Sequence, residues 1–121
     1  MLFKKDDDRK ISKLPIFSWT SNASGIATLD ISDYKGYEII AVQTVPGANG
    51  DKVTNPPISN YDVTLLDIYD FDWFFSKGLS RSISEAEVFC RLGKIPFHDS
   101  AVLTILNAGA NKQGIVNLWV A

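Results

Sequence analysis

Hydrophobic positions in this chain alternate with polar ones over short runs, and turn-forming residues interrupt the runs at close intervals. Residues 25–31 show this most simply: Ala27, Leu29 and Ile31 fall on one side, Ile26, Thr28 and Asp30 on the other. A period of two is the repeat of a strand with one buried face. Residues 37–45 are mostly β-branched or apolar and stop at Pro46-Gly47, which predicts a well-buried strand. Residues 61–69 predict another. The stretch 14–19 contains Pro15, which cannot donate to a ladder, so this strand belongs at a sheet edge. Further strands are expected over 85–92, 101–106 and 113–120, with turn chemistry at 22–25, 33–36 and 107–112. The last of these turns is expected to join antiparallel partners as a hairpin, with Gly109 at positive φ.

The pattern amounts to seven or eight strands without a long amphipathic helix. It predicts an all-β fold, an antiparallel β-sandwich or small jelly roll, and excludes the βαβ units of parallel-sheet enzymes. Residues 1–13 stand apart from the β-sandwich domain expected over 14–121. Lys4, Lys5, Asp6, Asp7, Asp8, Arg9, Lys10 and Lys13 make a mixed-charge arm with little to bury. Such an arm is either a solvated tail or a segment that orders across a neighbouring subunit, and the apolar pair Leu2 and Phe3 keeps the second reading open. The stretch 46–60 is long for a connection in this kind of fold, and Pro56-Pro57 stiffens it; it is a second candidate for reaching across to a neighbour.

Composition narrows the class only a little. The chain has 121 residues, 45% of them hydrophobic and 21% charged, which suits one globular domain with a core of its own. A net charge of −2 gives no overall reason to expect nucleic-acid binding. No run approaches the roughly 20 apolar residues of a membrane helix. Lys4 and Lys5 lead straight into three aspartates, so the expectation is a soluble protein without an export signal. Cys90 is the one cysteine, which rules out an intramolecular disulfide; within the strand-like 88–92 it is expected to be a buried, inert thiol.

Candidate chemistry fails on spacing. His98 has Asp99 and Ser100 as neighbours, but adjacent residues on an extended chain point to opposite sides and cannot form a relay. It is expected on a surface loop. Asp62, Asp67, Asp70 and Asp72 gather near one strand end, where calcium could use their oxygens, but their spacing is not that of an EF-hand and solvated turn carboxylates are the simpler reading. Residues 107–114 look superficially like a phosphate loop without the helix start that would hold a phosphate. No catalytic, metal-binding or cofactor-binding set emerges, and a non-enzymatic protein is expected. The residues left to explain are aromatic. Phe71, Trp73, Phe74 and Phe75 crowd one short segment, more than a small core strictly needs, and aromatic anchors carry much of the energy of protein interfaces. The interface candidates are therefore Leu2, Phe3, Pro56, Pro57, Phe71, Trp73, Phe74 and Phe75. A carbohydrate-binding sandwich is the competing class, with Trp73, Asp70 and Asp72 as its best trio.

The order of motifs resembles a known class. Residues 19–27 (WTSNASGIA), 36–46, 61–67 (YDVTLLD) and 107–114 (NAGANKQG) together are similar to small virion structural proteins of tailed bacteriophages. The resemblance covers residues 19–120 and leaves the arm outside; the segment 70–75 departs from it, standing where a glycine-rich stretch is usual. It implies a protein made in the host cytoplasm that ends in the virion, a homo-oligomer whose partners are the major capsid protein or other virion proteins. The implied role is a capsid cement or decoration protein, with a head–tail neck or adaptor component as the alternative.

Overall fold

The computed structural model describes residues 10–95 and 100–121. Leu2, Phe3 and His98 lie outside the described residues. Among those described, eight strands form: β1 (Ser12–Lys13), β2 (Phe17–Thr20), β3 (Ala27–Asp30), β4 (Glu38–Pro46), β5 (Asp62–Leu66), β6 (Glu87–Lys94), β7 (Val102–Leu106) and β8 (Gln113–Val120). The fold is all-β, and two antiparallel sheets face each other as a sandwich. In the larger sheet β1 and β2 both line one edge of β8, followed by β4 and β6; the smaller has the order β3-β7-β5. The break between β1 and β2 falls at Pro15, the residue expected to hold this run at an edge. Pairing begins at Ser12, opposite Val120, two residues before the domain boundary expected at Leu14.

Between the sheets, Val42, Val116 and Leu118 meet Val63, Leu65, Leu103 and Ile105, all fully buried. Ala27, Leu29 and Ile31 supply the inward side of β3 and the residue after it, as their alternation predicts. The outer side of the small sheet carries a row of threonines, Thr28 opposite Thr104 opposite Thr64, and the Thr64 hydroxyl donates to the Thr104 carbonyl at 3.0 Å. In β4 the register shifts between Ile39 and Ala41. This irregularity lets Ile39 and Val42, three residues apart, both face the core.

Four expectations change. The 107–112 loop is not a hairpin: it carries the chain from β7 in the small sheet to β8 in the large one, although Gly109 does take φ +86°. The strand expected over 61–69 ends at Leu66, because the chain turns back at Asp67 (its N–H donates to the Phe71 carbonyl, 3.2 Å). Cys90 is exposed, since β6 turns Phe89 inward and therefore Cys90 outward. The stretch 46–60 does not stand off the domain. It folds over the outer face of the large sheet, where Gly50 sits against Val45 and Ile115. Backbone hydrogen bonds from Gln113 to Asn55 and from Ile58 to Ala108 tie it down.

Candidate functional site

The segment after β5 builds the most distinctive surface of the molecule. Two aspartates organise it. The Asp67 side chain is buried; its Oδ1 accepts the N–H groups of Tyr69 (2.8 Å) and Phe71 (3.0 Å), and its Oδ2 accepts the Trp73 indole N–H at 2.9 Å. Asp72 Oδ1 accepts from Leu65 N (3.1 Å) and Phe74 N (2.9 Å), while Oδ2 accepts from Ser76 N at 3.0 Å. Short acidic side chains bind turn amides in this way wherever the backbone must reverse without strand or helix partners.

The same segment covers the outer edge of β5. Trp73 N donates to the Leu65 carbonyl (2.7 Å), Val63 N to the Gly78 carbonyl (2.8 Å), and Tyr61 and Arg81 exchange both of their backbone bonds. Ser80 N adds a bond to Asp62 Oδ1 at 2.9 Å. Gly78 approaches so closely that a Cβ there would lie 2.1 Å from the Val63 carbonyl oxygen, so only glycine fits. An edge that would otherwise offer unpaired amides to any extended chain is thereby closed from within the molecule.

The turns decide which ring goes where. Phe75 and Ser76 take φ +52° and +66°, a left-handed pair that sends neighbouring side chains apart. Phe74 enters the core and meets Phe89 edge-on at 5.3 Å. Phe75 is 48% exposed and Phe71 50% exposed. With the half-buried Trp73 they close a triangle of rings, at 5.7 Å (Phe71–Trp73), 5.8 Å (Phe71–Phe75) and 6.1 Å (Trp73–Phe75). Ile68, Tyr69 and Leu79 are further exposed apolar residues of the same segment. The exposure of Ile68 and Tyr69 escaped the sequence because 61–69 reads as one strand, which assigns them to sheet faces; the paired turn residues Asp70 and Asp72 were the available signal.

Of the expected interface residues, the structure brings Phe71, Trp73 and Phe75 together at this surface. It removes Phe74, which is core. Pro57 is also removed: it is buried and Pro56 half-buried, because the Asn55 side-chain amide and Ile58 N–H both bind the 107–112 loop. The four aspartates do not converge. Asp62, Asp67 and Asp72 face backbone amides or, for Asp62 Oδ2, the Asn107 amide at 2.8 Å and, for Asp67 Oδ2, the Trp73 indole. Asp67 is thus a buried turn anchor and not a solvated carboxylate. Among the described residues no group of three His, Cys, Asp or Glu is placed to hold a metal ion. The aromatic rings stand at 80°, 71° and 58° to one another, so they do not form one flat platform for a sugar ring.

A second polar feature lies inside the sandwich. Tyr61 is fully buried, its ring 5.6 Å from that of Trp19, and burial pushes its hydroxyl up to about 12. Thr44 faces it, but neither hydroxyl finds a hydrogen-bond partner of good geometry within the protein. Arg81 lies over the Phe89 ring, 5.1 Å from its centre, with Glu87 Oε1 3.7 Å from its Nε. Comparison of the chain with known protein families, with curated proteins and with solved structures gives no match.

Proposed function

We propose that this chain is a structural protein of a tailed-bacteriophage virion, one that binds the capsid shell as a cement or decoration protein. The class comes from the resemblance of residues 19–120. The observation that carries the binding role is the cluster of Phe71, Trp73 and Phe75 rings, with Phe71 and Phe75 about half exposed, mounted on turns that two carboxylates hold. A contiguous apolar patch on an otherwise well-packed small domain is the usual mark of a protein contact. Rigid mounting lowers the ordering cost when a partner is bound.

Purified protein added to preformed shells tests the proposal. The double variant Phe71→Ser/Phe75→Ser, checked for native folding, should lose about 2 kcal/mol of shell affinity or more, roughly thirtyfold. Unchanged binding would remove the surface from the proposal. A ring-shaped oligomer that binds no shell would favour the neck position. Glycan binding that shifts tryptophan emission would replace the virion reading with the carbohydrate-binding one.

A further inference from the structure

We propose that residues 75–80, Phe75-Ser76-Lys77-Gly78-Leu79-Ser80, form a strap that swings open as a unit while the sandwich stays intact, and that only the closed strap completes the aromatic surface. The fold shows the closed state, and the open one is its minor alternative. The proposal rests on the reading of this surface as the shell contact, and it adds the conformational step that controls it.

Both ends of the strap are anchored, and its own side chains are not. Before it, Phe74 is fully buried and Trp73 N donates to the Leu65 carbonyl at 2.7 Å. After it, Arg81 N donates to the Tyr61 carbonyl at 2.7 Å, and Ser82 N to Glu87 Oε1 at 2.7 Å. Between these anchors Phe75, Ser76, Lys77, Leu79 and Ser80 are all exposed, and Gly78 has no side chain to bury. Opening therefore draws no side chain out of the core. It uncovers only the Val63 backbone and the edge of the Phe89 ring, against which Gly78 lies. Segments of this kind belong to the low-stability end of a fold.

Opposed forces act on the strap. Two bonds hold it to β5, from Val63 N to the Gly78 carbonyl (2.8 Å) and from Ser80 N to Asp62 Oδ1 (2.9 Å). Water replaces both when the strap lifts, so the net worth of each is modest. The bonds from Ser76 N to Asp72 Oδ2 and from Phe75 N and Lys77 N to the Asp72 and Phe74 carbonyls lie at the hinge, and the one from Leu79 N to the Ser76 carbonyl travels with the strap. Against these ties stands the backbone. Phe75, Ser76 and Ser80 take φ of +52°, +66° and +55°, three left-handed non-glycine residues in one short segment. That conformation is strained for a residue with a Cβ, most of all an aromatic one, and opening relieves it at all three. Closed, the strap sets the Phe75 ring against both Phe71 and Trp73; open, it takes away two of the three ring contacts. A partner that needs all three rings binds the closed state and shifts the strap toward it.

Hydrogen exchange of the full chain, read by NMR, tests the strap. The Val63 and Ser80 amides should report one opening constant, about tenfold larger than those of the anchor amides Trp73 and Arg81, and insensitive to low urea that raises the constant in β8. The variant Ser76→Gly/Ser80→Gly relieves left-handed strain and should lower the Val63 constant about fivefold. Val63 exchange that occurs only together with Trp73 or β8 would overturn the proposal, and so would a Val63 constant that the two glycines leave unchanged or raise. With preformed shells bound, exchange at Val63 read by mass spectrometry should slow about tenfold further, and no slowing there would sink the coupling. Shell binding by Phe71→Ser/Phe75→Ser is read independently. Lost binding without a separate Val63 opening sinks the strap alone, and an opening strap with unchanged shell binding by that variant sinks the shell role alone.

Discussion

Burial makes Tyr61 hold its proton, and the cost of losing it shows only in alkaline solution. In the unfolded chain the phenol titrates near its ordinary value of about 10, whereas in the fold burial holds it up at about 12. Below pH 10 both states keep the proton, and this residue adds no pH dependence. From pH 10 to 12 the unfolded state releases a proton that the folded state retains, so stability falls as pH rises, by about 1.4 kcal/mol per unit. Tyr61→Phe should abolish that alkaline slope while leaving stability at pH 7 equal or slightly higher, because a buried hydroxyl lacking a protein partner is removed. Urea titrations of both proteins at pH 7, 10 and 11.5 check it. Cys90 offers a simpler measurement. Its side chain is exposed on β6, so a thiol reagent should modify it fully in native buffer, without denaturant and without loss of structure; protection until unfolding would contradict the outward orientation.

At the scale of elements, β5 is an edge strand that the chain itself has capped. Asp72 is the hinge pin of that cap, since one carboxylate holds Leu65, Phe74 and Ser76 at once. Asp72→Ala should cost about 2–3 kcal/mol, and hydrogen exchange at the Leu65 amide should speed up before exchange in β8 does. Gly78→Ala should cost about 1–3 kcal/mol, because its Cβ would press on the Val63 carbonyl and push the cap away from the strand. If the cap opened without loss of the sandwich, the exposed β5 edge would also make the variant prone to association.

At the scale of the whole molecule, two adjacent phenylalanines serve opposite ends. Phe74→Ala empties a site in the core beside Phe89 and should lower stability by about 3–5 kcal/mol. Phe75→Ser disturbs only ring contacts at the surface and should cost about 1 kcal/mol. Thermal denaturation of the two single variants should therefore separate widely, and partner binding should separate in the reverse order. Equal destabilisation would mean that the aromatic surface belongs to the core and is not available for contact.

The strands were legible in the amino-acid sequence because alternation and strong β-formers are local properties. Residues 27–31 and the strands β4, β7 and β8 lie where their pattern placed them, and Pro15 marked the broken edge. The crowding of Phe71, Trp73 and Phe75 was also visible, and with it the place to look for a contact surface. The tertiary structure decided everything that depends on parity and partner. Which of Phe74 and Phe75 goes inward is set by left-handed backbone at Phe75 and Ser76, stabilised by Asp72 from the far side of a turn. That Ile39 and Val42 share a face depends on a register shift between strands. That 107–112 crosses between sheets, and that 46–60 lies flat on one of them, depends on hydrogen bonds between residues fifty or more positions apart. Local chemistry fixes the element, and only the packed neighbours fix its direction, its face and its cover.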